Sequence, residues 1–340
     1  MKALRSLLVP AAVLALLSAA LADANLWRRM GWKTDFSKAS VPLSEIMSGG
    51  PPRDGIPPID RPMFKPVAEI DNLADREPVI VYPLDANARA YPLRVMTWHE
   101  IVNDTVAGLP VAVTYCPLCN AALVFDRRIA GRVLDFGTSG LLRNSDLVMW
   151  DRQTESWWQQ FTGEAIVGAL TGASLKILPS RVASFGEFRK RWPGGQVLVP
   201  EKPGMRPYGR NPYVSYDKIA ATPFLFRGEL PKGLPAMAHV VVARTGMGQV
   251  AVALALLAER NRVTHEGVTF AWQPGQASAL DSAEIAKGRD VGSVEVTDAN
   301  GQPLVHDITF AFVFHAFTKD ATVLTGKGKV DLASGKMVGP

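Results

Sequence analysis

The order of short alternating runs and turns repeats within this chain, and that constrains its fold more than any single motif. Residues 77 to 93 hold two alternating runs, "EPVIVYPL" and "ARAYPL", joined by Asp85-Ala86-Asn87, a hairpin signal. A helix is expected next in "RVMTWHEIVNDTV" (94–106), with Thr97 and Glu100 at capping-box spacing. The apolar run "VAVTY" (111–115) then reads as a buried strand. Further on, "MAHVVVARTGMGQVAVALALLAERN" (237–261) echoes the early strands and helix. "VTFAWQPGQASALDSAEIAKGRDVGSVEV" (268–296) echoes the strand and hairpin after them, and "FAFVFHAFTKDATVL" (310–324) falls where "FGEFRKRWPGGQVL" (185–198) fell. A degenerate internal duplication is the reading.

The fold class expected is α+β and β-rich: two related lobes of short antiparallel strands and hairpins with a few short helices. Residues 67–200 form the first lobe and 201–340 the second, joined through the Pro- and Gly-rich "VPEKPGMRPYGRNPYVSYD" (199–217), read as a connection. Within the first lobe, "ALVFDRRIAGRVLDFG" (122–137) predicts a hairpin turning at Ala130-Gly131. "SFGEFRKRW" (184–192) predicts a helix capped by Ser184 with Glu187 three residues on. Residues 23–66 are an N-terminal arm ending in "SGGPPRDGIPPIDRP" (48–62), whose turn residues forbid regular structure. Ile56, Ile59, Met63 and Phe64 favour a loop that packs over the domain rather than a free linker.

The chain opens on "MKALRSLLVPAAVLALLSAALADA", with a basic start, an apolar stretch, and small residues at Ala20 and Ala22. This is the layout of a signal peptide spanning residues 1–22, so a periplasmic or secreted protein is expected. No later segment is long enough to span a bilayer; the longest apolar run, Val250 to Ala258, is short. A formal charge of +5 with scattered Lys and Arg does not argue for nucleic acid. An unknown periplasmic protein or a small ligand is the partner expected.

Both cysteines of the chain lie in "VAVTYCPLCNAALVFD" (111–126), as Cys116 and Cys119. A structural bridge there would close so small a loop that it stabilises weakly. A redox dithiol has some basis, because Pro117 suits a helix start and a helix N-terminus lowers a thiol's pKa. The alternating residues after Cys119 speak against the long helix of a thioredoxin. Haem c attachment is rejected because Asn120 follows the second cysteine where His is needed.

Zinc would need further ligands, with His99, Asp126 and Asp146 as candidates. Copper needs fewer and softer ones, and Met149 could add a thioether to Cys116, Cys119 and His99. Core packing is the ordinary role of such a Met, and hydrogen bonding that of a lone His. Metal handling, copper before zinc, is set ahead of disulfide exchange.

The span "SDLVMWDRQTESWWQQ" (145–160) gathers Asp146, Asp151, Arg152, Trp157 and Trp158. Its sharper reading is a ligand-binding groove for a glycan or protein, on a scaffold whose cysteines form a structural disulfide. A hydrolase using Asp146 and Asp151 is a more distant one. The plainer reading, and the favoured one, is a hairpin whose polar turn is Arg152 to Ser156 and whose tryptophans are buried. Ser139 is not in a G-x-S-x-G elbow, and no nucleotide-binding glycine loop is present.

Taken together, "HEIVND" (99–104), "VAVTYCPLCNAALVFDR" (111–127) and "FGTSGLLRNSDLVMWDRQTESWW" (136–158) resemble the domain-of-unknown-function 3179 family. "GGPPRDGIPPID" upstream and "GRNPYVSYD" downstream resemble it too, so the likeness runs from about 45 to 325. The resemblance implies exported or cell-surface proteins, often with a leader, and carries no established activity. Here Asn120 and Ala121 stand where members often have smaller Gly or Ser residues.

Overall fold

The computed structural model describes residues 24–83 and 88–339. The expected leader and the Asp85-Ala86-Asn87 turn lie outside the described residues.

The first repeat starts with β1 (Pro78–Tyr82) and β2 (Arg89–Pro92), then α1 (Leu93–His99). β3 (Ile101–Val106), β4 (Leu109–Cys116) and β5 (Ala121–Asp126) follow as an antiparallel meander. The helix is shorter than expected. Thr97 lies in its last turn, where its hydroxyl donates to Leu93 O at 2.7 Å, and Glu100 ends the helix with φ 58. The β-branched Ile101, Val102, Thr105 and Val106 then favour strand over helix.

Inserted next is a sheet of β6 (Phe136–Arg143), β7 (Asp146–Asp151), β8 (Trp157–Gln159) and β9 (Ala165–Val167), edged by Ile46–Ser48. The turn from 152 to 156 and the Ala130-Gly131 hairpin, with both residues at positive φ, form as expected. The repeat closes with β10 (Arg181–Ser184), α2 (Phe185–Arg191) and β11 (Gln196–Val199). Ser184 caps α2 by accepting from Glu187 N.

The second repeat runs β12 (His239–Thr245), β13 (Gly248–Ala253), α3 (Leu254–Arg260), β14 (Arg262–His265), β15 (Val268–Gln273) and β16 (Ser293–Thr297). It ends with β17 (His306–Phe310), α4 (Ala311–Phe317) and β18 (Thr322–Thr325). The two repeats share a topology: strands β10-β1-β2-β11 in one sheet correspond to β17-β12-β13-β18 in the other. In each, the first three neighbours are antiparallel and the last pair parallel. The meander β3-β4-β5 corresponds to β14-β15-β16.

The chain is β-rich with few, short helices, as expected, but it does not part into two lobes. Five sheets of three to six strands, with a two-stranded hairpin besides, adjoin one another in a propeller-like arrangement. β5 of the first repeat packs on β17 of the second, and β10 of the first on β16 of the second. This reciprocal exchange is the contact pattern of a two-fold interface. One apolar cluster holds Cys116, Cys119 and Met149 together with Met237, Leu280, Phe310 and Phe312, so the halves share a core.

The loops are ordered as well. Residues 48–62 pack against the inserted sheet and β3, with Asp54 N donating to Thr138 O at 2.8 Å and Asn103 N to Ile59 O at 2.8 Å. Gly140, at φ +75, allows this approach: a Cβ there would lie 2.0 Å from Pro51 O. The 199–217 segment is no mere spacer. Asn211 and Ser215 bond to the 281–283 backbone, and Tyr213 and Tyr216 reach the cysteine turn.

Candidate functional site

Cys116 ends β4 and Cys119 precedes β5, so the pair sits in a strand-turn-strand and starts no helix. The turn is closed by Cys119 N to Cys116 O and Asn120 N to Pro117 O, both 3.2 Å, with Asn120 at φ 52. Asn tolerates that left-handed conformation better than most residues. Both thiols are free and buried, Cys116 at 2% exposure and Cys119 at 0%.

The inserted sheet brings the third member. Arg143 pairs with Asp146 across a two-residue turn, Asn144-Ser145, in which both residues have positive φ. This is the hairpin turn whose twist suits the flanking strands. It aims Ser145 O at the sulfurs, 3.9 Å from Cys116 Sγ and 3.5 Å from Cys119 Sγ. It also sets the Asp146 carboxylate beside them: one ligand atom each of Cys116, Cys119 and Asp146 lies within 4.8 Å of the others. Asp146 Oδ2 accepts from Gln159 Nε2 at 2.5 Å and from Phe161 N at 2.9 Å, whereas Oδ1 is buried with no partner among the described residues other than the two thiols beside it.

Glu100 stands next to this group. Its carboxyl is buried, and no hydrogen bond to it is found among the described residues. Burial first, and the neighbouring Asp146 second, push its pKa up to about 8. Burial raises Asp146 to about 6, and raises both cysteines, Cys119 strongly. Among the described residues, no basic side chain offsets the rise at Glu100. The backbone of Glu100 is costly too, since a Glu in a left-handed conformation is strained by about 1 kcal/mol or more.

The roof over the turn is aromatic. Tyr216 Oη donates to Leu118 O at 3.1 Å and accepts from Phe224 N, while Ser145 Oγ donates to Phe224 O. Tyr213 and Phe224, with Glu100, Leu118, Leu147 and Gly140, line a pocket of about 140 Å³.

Of the other expected ligands, His99 and Asp126 are engaged elsewhere. His99 has both ring nitrogens engaged, Nδ1 with Pro57 O and Nε2 with Tyr208 Oη, each at 2.8 Å, and it pins the covering loops. Asp126 is held by Arg128. Met149 shares the apolar cluster of the sulfurs as a fully buried side chain.

No tryptophan groove forms at the β7–β8 hairpin. Trp157 and Trp158 are both fully buried, and the arm covers Trp157 with Trp27, Trp32 and Phe36 at ring separations of 4.8, 5.1 and 5.3 Å. Asp151 fastens the turn by accepting from Thr154 N and Trp158 Nε1, and Arg152 pairs with Asp60 at 2.8 Å. Asp146 and Asp151 occupy opposite ends of β7, about 17 Å apart at strand rise. They cannot act as a catalytic pair.

Sequence reasoning missed Glu100, Tyr213 and Tyr216 as neighbours of the turn. The Asn-Ser step between two strands was the available signal for Asp146. Nothing local marks the other three.

Against family models, one described as a protein of unknown function (DUF3179) matches residues 53–321. No curated protein and no solved structure matches the chain.

Proposed function

The chain belongs to the DUF3179 family, and we propose that it binds a thiophilic metal ion through Cys116, Cys119 and Asp146. The observation that carries this reading is the grouping of the buried Asp146 carboxylate with two free, buried thiols within 4.8 Å, its Oδ1 having no partner among the described residues other than those thiols. A buried polar atom left without a partner costs about 1–3 kcal/mol, and a bound cation would remove that cost. At metal–ligand bonds of about 2.0–2.3 Å, ligand atoms of a tetrahedral site lie roughly 3.5–3.8 Å apart. Small side-chain adjustments close the difference.

Two sulfurs and a carboxylate suit a borderline ion, so zinc(II) uses the full set and leaves a fourth position open. Copper(I), the ion placed first from sequence, is the second reading; it is supported by Met149 in the same apolar cluster as the sulfurs. Disulfide exchange with a protein substrate has less support, because attack needs an accessible thiolate and both thiols are buried. The leader would place this chemistry in the periplasm or outside the cell. No helix among the described residues is long and apolar enough to cross a membrane.

The test is anaerobic loading of reduced protein with zinc(II) and, separately, copper(I), measured as bound metal after desalting. About one equivalent is expected for wild type and none for Cys116→Ser/Cys119→Ser. Asp146→Asn should weaken zinc far more than copper. Equal, negligible loading of wild type and the double variant ends the proposal.

A further inference from the structure

We infer that the pocket floored by Glu100 is a binding site for a small primary ammonium ion with a short alkyl tail. It adjoins the proposed metal ligands, but Cys116, Cys119 and Asp146 are not among the residues that line it.

Three observations converge on it. First, Glu100 is the one charged residue in the pocket's lining; it is 6% exposed, and its carboxyl meets no hydrogen-bond donor among the described residues. Buried carboxylates are ordinarily paired, so a group aimed into a cavity without a partner points to a cation brought from outside. Second, the rest of the lining is largely apolar, with Ile56, Leu118, Leu141, Leu142, Leu147 and Phe224. A hydrated inorganic cation gains nothing from such walls, whereas an alkyl chain does. The aromatic rings of Phe224 and Tyr213 suit a cation as well.

Third, the two repeats differ here. The helix-ending position has φ 58 and ψ −32 at Glu100, and φ 61 and ψ −27 at its counterpart Asn261. Asn is at ease in that conformation and Glu is not. The fold therefore does not require Glu at this position.

Size limits the ligand. A pocket of about 140 Å³ favours a small ligand, and n-butylammonium is a probe of suitable size.

The experiment is calorimetric titration of the full, reduced, metal-free protein with n-butylammonium chloride at mildly alkaline pH. n-Butanol, of the same shape without charge, is the control. Binding of butylammonium and none of butanol is expected. Glu100→Gln should weaken the ammonium about thirty-fold or more, as removal of one partner of a buried charge pair does. Glu100→Asn, which restores the residue of the second repeat, guards against misfolding and should weaken it equally. Ile56→Trp, on a partly exposed loop, should block the pocket and leave metal loading intact. Butanol binding as well as butylammonium, undiminished binding by Glu100→Gln, or no binding to wild type at millimolar ligand each overturns the assignment. Metal loading measured on the same samples reports separately on the dithiol reading.

Discussion

The β4–β5 turn of the first repeat and the β15–β16 connection of the second grow from equivalent strands and reach opposite ends. In both, the strand is tied to the helix-ending residue by one bond, Tyr115 N to Glu100 O at 2.8 Å and Trp272 N to Asn261 O at 2.7 Å. The next residue is Cys116 in one repeat, buried, and Gln273 in the other, exposed. The first repeat then turns within four residues, while the second wanders from 274 to 292 before β16. Cys116 is buried by more than its own repeat's meander. The sheet inserted between β5 and β10 and the 213–226 roof add to it, and the second repeat has only residues 298–305 at the corresponding insertion point. The common framework supplies strands; the additions supply the site.

That comparison fails if the repeats are independent bodies, and the seam between them offers the largest test. Phe310, fully buried at the end of β17, stacks with His239 at 5.0 Å and Phe312 at 6.0 Å, and its N–H points to Cys119 O at 3.4 Å. Phe310→Ala should cost about 3–5 kcal/mol in urea unfolding. With one shared core, the loss should appear in a single transition, seen alike by the tryptophans at 150, 157 and 158 and by Trp272. Two transitions, with the first repeat's tryptophans unmoved, would mean that the repeats unfold separately.

Element identity was legible in the sequence where periodicity was strong and turns were marked. The Ala130-Gly131 hairpin, the Ser184 cap and the order of the second repeat all follow from local residues. The end of α1 was not legible, because Thr97 and Glu100 also fit a helix start, and only the left-handed Glu100 shows that they close one. The cysteine pair was plain; which of its candidate partners would reach it was not. Asp146 was one of three candidate zinc ligands and is the one grouped with the thiols, whereas its company with Asp151 misled, because the strand carries the two carboxylates to opposite ends. Tyr213 and Tyr216 come from a segment whose Pro and Gly content reads as a linker, and their role depends on contacts about a hundred residues away. Packing between distant segments decided the site, and no local pattern encodes it.

A sharper comparison exchanges the helix-ending residues. Glu100→Asn should raise stability by about 1–3 kcal/mol at neutral pH, by relieving the backbone and removing a buried acid. The gain should depend on pH in a defined direction. Glu100 has its pKa raised from 4.5 to about 8 in the folded protein, with Asp146 and Cys116 facing it. The folded state therefore holds this proton more tightly. Its contribution is fully present below pH 4.5 and is lost as pH rises toward about 8. Urea midpoints of wild type should fall across that window more steeply than those of Glu100→Asn. Parallel curves would show that Glu100 is solvated or paired in the folded protein.

The smallest effect separates the two closing helices, α2 and α4, which start at equivalent points. Ser184 caps α2 with its hydroxyl, whereas Phe310 heads α4 with no side-chain cap and is held by burial. Ser184 N donates to Ser293 Oγ of the second repeat at 3.3 Å, and that backbone bond survives truncation of the Ser184 side chain. Ser184→Ala should therefore remove the cap alone and cost about 1 kcal/mol in urea unfolding. A cost near zero would mean that packing of Phe185 and Phe188, both fully buried, already fixes α2 as burial fixes α4. The capped and uncapped helices would then be held in the same way, and the difference between the repeats would narrow to the cysteine turn and the acid beside it.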